Sequence, residues 1–355
     1  MKSEFAPVPP RNQSYDLLRI AAICAVVAVH TFGPTAQQGA ASGFESWAAR
    51  VLSIGSIWSV PVFVMLSGAL TLGDHAHRDG PGRFYSRRAK RIIPAVLFWT
   101  IAYLIIRVFL VAEPMSWWAI LTALVDTSVY PHLYFLWVIV GLYLIAPVLH
   151  AFLLGGGVRR AVVFAASALL LTIVVFTIPG IFARGGFDLP MHLTVLTYWL
   201  AYVGYFLTGY ALSKIKVARP WLVVAAISIF ALGTLTIVQS AFPDHLQLLS
   251  AASPISYLAI VVAVLSISMF VVGGDLLGRI PLGPRLSRLV VTVSEASFGV
   301  YLVHLAVLLV PYTLLPGFHE QRSLPEAVLA YLFIIVVSFA ISIGARKVPI
   351  LRTVF

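Results

Sequence analysis

Apolar positions along this chain come in long, nearly unbroken runs. A helix that crosses a bilayer needs about 20 mostly apolar residues. Ten stretches answer that description: 16–33, 48–72, 92–112, 133–153, 160–180, 192–213, 220–240, 253–273, 295–315 and 326–345. The polar stretches between them are too short for a soluble domain, and no internal repeat is evident. The pattern predicts an all-α polytopic membrane protein, with about ten transmembrane helices in one bundle at 16–345. Short tails remain at 1–15 and 346–355.

Composition agrees with the pattern. The chain has 355 residues, 60% hydrophobic and 10% charged, where a soluble domain carries about a quarter charged. The opening "MKSEFAPVPP" has no apolar core of a cleavable signal peptide. Cys24 is the one cysteine, which excludes disulfide frameworks and thiolate metal clusters.

A net charge of +11 raises the question of nucleic acid, and the distribution of the charge answers it. Lys2, Arg11, Arg19, Arg78, Arg83, Arg87, Arg88, Lys90, Arg91 and the cations of every second later loop fall on one side, 20 of the 24 in all. Arg50, Arg184 and Arg322 fall on the other, and Arg107 lies within a span, where it is expected to snorkel to the surface. That bias is the positive-inside signal. It puts both termini in the cytoplasm and leaves no role for nucleic acid; a bacterial inner (plasma) membrane is the expected location.

Ionisable groups at membrane depth are costly and usually face a cavity or a partner. In "YDLLRIAAICAVVAVH" (15–30), Arg19 sits near the inner interface and His30 lies eleven residues further on. That is about 16 Å and three full turns, so the two share a face. Asp16, one turn before Arg19, is placed to hold its guanidinium or to anchor the helix at the interface. An imidazole is the side chain best suited to take a proton near neutral pH, and a hydroxyl attacking a thioester needs such a base. A buried histidine bonded to a neighbouring helix is an equal reading of His30.

The other candidates divide in the same way. Tyr301 and His304, one turn apart, line a cavity or make a structural hydrogen bond. His132, Tyr134 and Trp137 are expected at the outer mouth, as a stacking platform or as interfacial anchors. Arg87, Arg88 and Arg91 either bind phosphates or only set topology. Ser67 and Gly68 read as a close helix contact. His75 and His77, with Asp74 and Asp79, read as a solvated loop, so no metal is expected. The middle of every span lacks Asp and Glu, which weighs against a proton- or sodium-coupled transporter.

Several stretches together resemble the acyltransferase-3 family of integral membrane O-acyltransferases. They are the Arg19-x10-His30 spacing after Asp16, "FVMLSGALTL" (63–72), "FYSRRAKRIIP" (84–94), "HLYFLW" (132–137) with "YLIAPVL" (143–149), "YFLTGYALS" (205–213) and "SFGVYLVH" (297–304). Tyr134 stands where many members have Trp. With the chain ending at Phe355, the resemblance is to a standalone member without an extracellular hydrolase-like domain. It implies acetyl-CoA (an acyl-CoA) as donor and a saccharide or lipid-linked glycan hydroxyl as acceptor. His30, Arg19 and Asp16 become the catalytic group. Arg19, Arg87, Arg88 and Arg91 bind the donor, and His132, Tyr134, Trp137, Tyr301 and His304 meet the acceptor. Membrane lipids, a second copy and glycan-assembly enzymes are the expected partners. The pantetheine arm, comparable in length to the Arg19–His30 separation, is expected to thread a continuous tunnel between them. The rivals on residues alone are a transporter or flippase for a glycan or lipid-linked saccharide, and a structural or sensory membrane subunit.

Overall fold

The computed structural model describes residues 11–37, 43–314 and 323–355; Lys2 and Arg322 fall outside them. The chain forms α1 (Gln13–Gln37), α2 (Phe44–Ile54), α3 (Ser59–Thr71), α4 (Asp74–His77), α5 (Gly80–Ile105), α6 (Trp117–Val125), α7 (Tyr134–Leu154) and α8 (Gly157–Arg184). It continues through α9 (Val203–Ser213), α10 (Arg219–Ala241), α11 (Gln247–Ala252), α12 (Ile260–Gly278), α13 (Pro284–Leu314) and α14 (Leu324–Ala345). No strand occurs among the described residues. Nine helices among them are long and apolar enough to cross a membrane, with α2 and α3 forming one broken span, Phe44–Thr71. This is an all-α multi-pass membrane protein.

The expected span at 192–213 takes a different form. Its first half is irregular chain leading into a 3-10 turn, Tyr198–Tyr202, and only the 11-residue α9 is α-helical. At about 1.5 Å per residue, α9 covers roughly half of a 30 Å hydrocarbon layer. Protein encloses the α-helical half, where Tyr205, Phe206 and Leu207 are fully buried, while Leu196 and Leu200 in the half before it are exposed. Glycine makes the burial geometrically feasible. A Cβ on Gly68 would overlap the carbonyl oxygen of Phe206, and one on Gly209 the carbonyl oxygen of Met65. The small residues let α3 and α9 cross backbone to backbone, which is the packing role expected of Gly68.

Helix α1 is central, packed against α2, α3, α12, α13 and α14. It runs alongside α13 in the same direction: Asp16 meets Ser294 near one end and His30 meets His304 further along. After α14 the chain turns back under the bundle through a short 3-10 turn, Leu351–Thr353. There Trp99 Nε1 donates to the Val354 carbonyl at 2.8 Å, and the Phe355 ring packs on Trp99. At the opposite end, α5 unwinds into a π turn at Ile106–Leu110. Arg107 in that turn forks onto Glu113 at 2.6 and 2.8 Å and donates to the carbonyls of Ser128 and Val129. Its guanidinium thus ties two loops together where simple snorkelling was expected. The fork holds the Glu113 carboxyl below its ordinary range.

Candidate active site

The site has two compartments along the axis of α1. The first is a cavity of about 700 Å³ at the end where the arginines gather. Its lining includes eight cationic side chains, Arg11, Arg19, Arg87, Arg88, Lys90, Arg91, Arg346 and Arg352, against one carboxylate, Glu295. Positive charge at that density has to be met by an anion or by water. Three of the cations have partners that explain their place. Arg11 bonds both Asp16 and Glu295, Arg346 bonds Glu295 at 2.6 Å, and Arg87 bonds Asp79 at 2.5 Å. The Arg87 hydrogen bond also lowers the pKa of Asp79.

Arg19, Arg88 and Arg91 have no ion-pair partner among the described residues. Arg88 lies over the Tyr143 ring at 4.7 Å and the Phe84 ring at 5.6 Å, and Arg91 lies over Phe298 at 5.8 Å. Stacking on an aromatic face fixes a guanidinium while leaving its N–H edge open to a ligand. Arg19 has neither hydrogen bond nor ion pair among the described residues, yet it lines the cavity.

Asp16 does not hold Arg19. Its carboxylate is claimed by Arg11, at 2.7 and 2.9 Å, and by the Ser294 hydroxyl at 2.6 Å. Sequence spacing placed Asp16 and Arg19 on one face, but a bidentate partner from the preceding segment won the carboxylate. The result is useful: Arg19 is left uncommitted.

The cavity ends at an aromatic collar made of Phe63, Phe135 and Tyr301. Phe135 packs between the other two, 6.4 Å from Phe63 and 5.2 Å from Tyr301 between ring centres. His30 does not line the cavity, so the open tunnel expected from Arg19 to His30 is closed here by three rings. Spacing along one helix fixes direction and distance, and it carries no information about what neighbouring helices insert between two positions.

Behind the collar lies the second compartment, a trio of histidines from three elements. His304 on α13 is 5.4 Å from His30 on α1 and 5.2 Å from His132, which precedes α7. His132 was expected at the outer mouth. Instead the turn carrying it folds inward, and it is 2% exposed, with its Nε2 on the Leu302 carbonyl at 3.4 Å. Tyr301 fixes this fold by donating its hydroxyl to the His132 carbonyl. Tyr103 closes the other side, edge-on to His132 at 4.9 Å and donating to the Leu302 carbonyl.

These bonds determine which ring nitrogens are bare. A carbonyl only accepts, so the nitrogen facing it carries the proton. His304 Nδ1 donates to the Tyr301 carbonyl at 2.7 Å, and its buried Nε2 has no partner among the described residues. His132 donates through Nε2, and its Nδ1 is likewise buried and unpartnered. His30 has no hydrogen-bond partner on either nitrogen among the described residues, and its ring packs on His304. Buried polar atoms without partners are rare and need an explanation. Two bare imidazole lone pairs beside the third ring give a cluster of potential proton acceptors.

The other expected acceptor residues sit apart from this trio. Tyr134 stacks on Tyr198 at 4.9 Å, and Trp137, one turn further along α7, packs partly buried at the edge of the core. Several cavity residues carried no signal that spacing would reveal: Tyr143, which accepts from Ser67 at 3.2 Å, Ser294, Glu295, and the 346–355 segment with Arg346, Arg352 and Phe355. Among the described residues no group of three or more His, Cys, Asp or Glu is arranged to hold a metal. His77 is instead stacked between Phe84 and His150, at 4.5 and 4.2 Å, with its Nε2 on the Thr71 carbonyl.

The arrangement is a multi-pass helical bundle with an arginine-lined cavity at one end and a cluster of three histidines behind it. The family is settled by comparison: the acyltransferase-3 family model, an acyltransferase domain, matches residues 12–346. The chain belongs to that family and is a membrane acyltransferase. No curated protein and no solved structure matches it.

Proposed function

We propose that this protein is an O-acetyltransferase of the bacterial plasma membrane. In this reading it takes acetyl from cytoplasmic acetyl-CoA and delivers it to a hydroxyl of a saccharide or lipid-linked glycan. The observation that carries the reading is Tyr301, which lines the arginine cavity on one side and packs on His132 and His304 on the other, at 5.4 and 5.9 Å. It joins a place for phosphates to a place for a base.

The donor's nucleotide phosphates sit on Arg19, Arg88 and Arg91, whose N–H edges are open, while Arg87 and Asp16 shape the cavity from the rim. The pantetheine arm passes the Phe63–Phe135–Tyr301 collar, which requires those rings to turn aside. His30 then takes the proton of the acceptor hydroxyl as its oxygen attacks the thioester carbon. The new C–O bond forms, the C–S bond breaks, and the departing thiolate receives that proton from the imidazolium. Ester and CoA thiol are the products, and the histidine ends as it began.

The test incubates purified protein with labelled acetyl-CoA and an envelope glycan extract, followed by mass spectrometry of glycans with and without the protein. One acetyl increment, lost in His30→Ala, is expected. Movement of label or glycan across the membrane with no ester formed overturns the reading in favour of a transporter.

A further inference from the structure

At the end of α1 away from Arg19, one turn beyond His30, lies a second cavity that neither compartment uses. Its volume is about 410 Å³, within the range of small-molecule sites, about 300–1,000 Å³. Gly33, Ala36 and Gln37 of α1 form one wall, Arg50 and Ser53 of α2 a second, and Gln239, Ser240 and Ser250 line the far side.

Arg50 is the unusual member. It is 9% exposed, and its Nη1 donates to the Ser240 carbonyl at 2.7 Å. Among the described residues its buried Nε has no partner, and neither does the buried Ser250 hydroxyl. Among the described residues no carboxylate forms an ion pair with Arg50. A buried guanidinium without a counter-charge is costly, and here it faces a cavity whose other polar groups are neutral hydroxyls and amides. The missing partner is an oxyanion, and the surrounding hydroxyls and amides suit a ligand rich in hydroxyls.

We propose that this cavity binds the acceptor, and that the acceptor is an acidic saccharide, one whose carboxylate or phosphate pairs with Arg50. Its role as an acceptor site rests on the acyl-transfer reading above; its occupancy by an acidic sugar does not. The placement is consistent with both. Donor phosphates occupy one end of α1, the acidic group of the acceptor occupies the other, and the histidines lie between them.

Binding is measured by calorimetry on the purified full-length protein with saturating CoA, so that the arginine cavity is already filled. Glucuronate, glucose 1-phosphate, glucose and glycerol 1-phosphate are the probes. Glucuronate or glucose 1-phosphate should bind at least about tenfold more tightly than glucose, and whichever binds better identifies the acid as carboxylate or phosphate. Arg50→Gln should abolish that preference while CoA affinity stays unchanged, and Gly33→Leu, which fills the cavity without touching Arg50, should block both sugars. Equal binding of the acids by wild type and Arg50→Gln overturns the proposal. So does a wild type that binds no acid better than glucose. Glycerol 1-phosphate binding as well as the sugar acids overturns the saccharide assignment in favour of a lipid headgroup. Acid binding at Arg50 in a protein that forms no ester would leave this site standing and remove the transferase reading alone.

Discussion

The arginine cavity and the histidine pocket are neighbours with opposite physics. The cavity is wide, with eight cations facing one carboxylate, and its guanidinia are held by stacking and ion pairs at the rim. The three histidines are packed ring against ring, have no charged partner among the described residues, and present bare imidazole nitrogens. Charge recognition works where water and salt are present, and a proton acceptor works best where water is excluded. A collar of three rings separates them, with Tyr301 touching both sides, so binding and chemistry should be separable by mutation.

The largest expected effect comes from the pocket. His30→Ala should lower turnover by about 10²–10⁴-fold, the usual contribution of a general base, with CoA affinity from calorimetry unchanged. A parallel loss of CoA binding would mean that the two compartments act as one. Arg88→Ala and Arg19→Ala should do the reverse. Each loses a charge-assisted contact of about 1.5–3 kcal/mol, so donor affinity falls roughly 10- to 100-fold while turnover at saturating donor is kept.

Tyr301→Phe probes the wall itself. Removing the hydroxyl frees the His132 carbonyl and costs about 0.5–1.5 kcal/mol. It should lower both stability, read from thermal unfolding, and turnover, while leaving CoA affinity intact.

The smallest effect lies outside both compartments, in the His77–His150 stack. Burial, and secondarily the neighbouring His150, lower the pKa of His77. Between that lowered value and the ordinary 6.5, the unfolded chain holds more protons than the folded one, so stability rises with pH across this window. The contribution is complete above about pH 6.5 and is lost as pH falls through the folded value. A small fall in Tm between pH 7.5 and 5.5 is expected. His77→Phe, which keeps the stack and cannot titrate, should flatten it.

Much of this arrangement was legible in the chain. Hydropathy placed nine of the long helices because lipid demands uninterrupted apolar segments. It misjudged 192–213 because α9, buried within protein, is as apolar as a helix facing lipid, and the crossing of Gly68 and Gly209 that seats this short helix joins residues far apart in sequence. At the site, helical spacing brought Arg19 and His30 forward, and sequence pattern marked His304, Tyr301, Arg88 and Arg91. Partner choice was not legible. Asp16 pairs with Arg11 and not Arg19, His132 folds inward, and Phe63 and Phe135 close the passage. Each of these depends on contacts between residues far apart in sequence. The returning segment at 346–355, with Arg352 and Phe355 in the cavity wall, had no local mark at all.

The central claim is that the donor's reactive end passes the collar and meets the histidines. It is tested most directly by a cryo-EM structure with a non-hydrolysable acetyl-CoA analogue bound. Phosphates on Arg19, Arg88 and Arg91, with the sulfur position beyond Phe63, Phe135 and Tyr301 and against His30, are expected. An analogue whose acyl end stays on the arginine side of closed rings, or leaves sideways between helices, would contradict it.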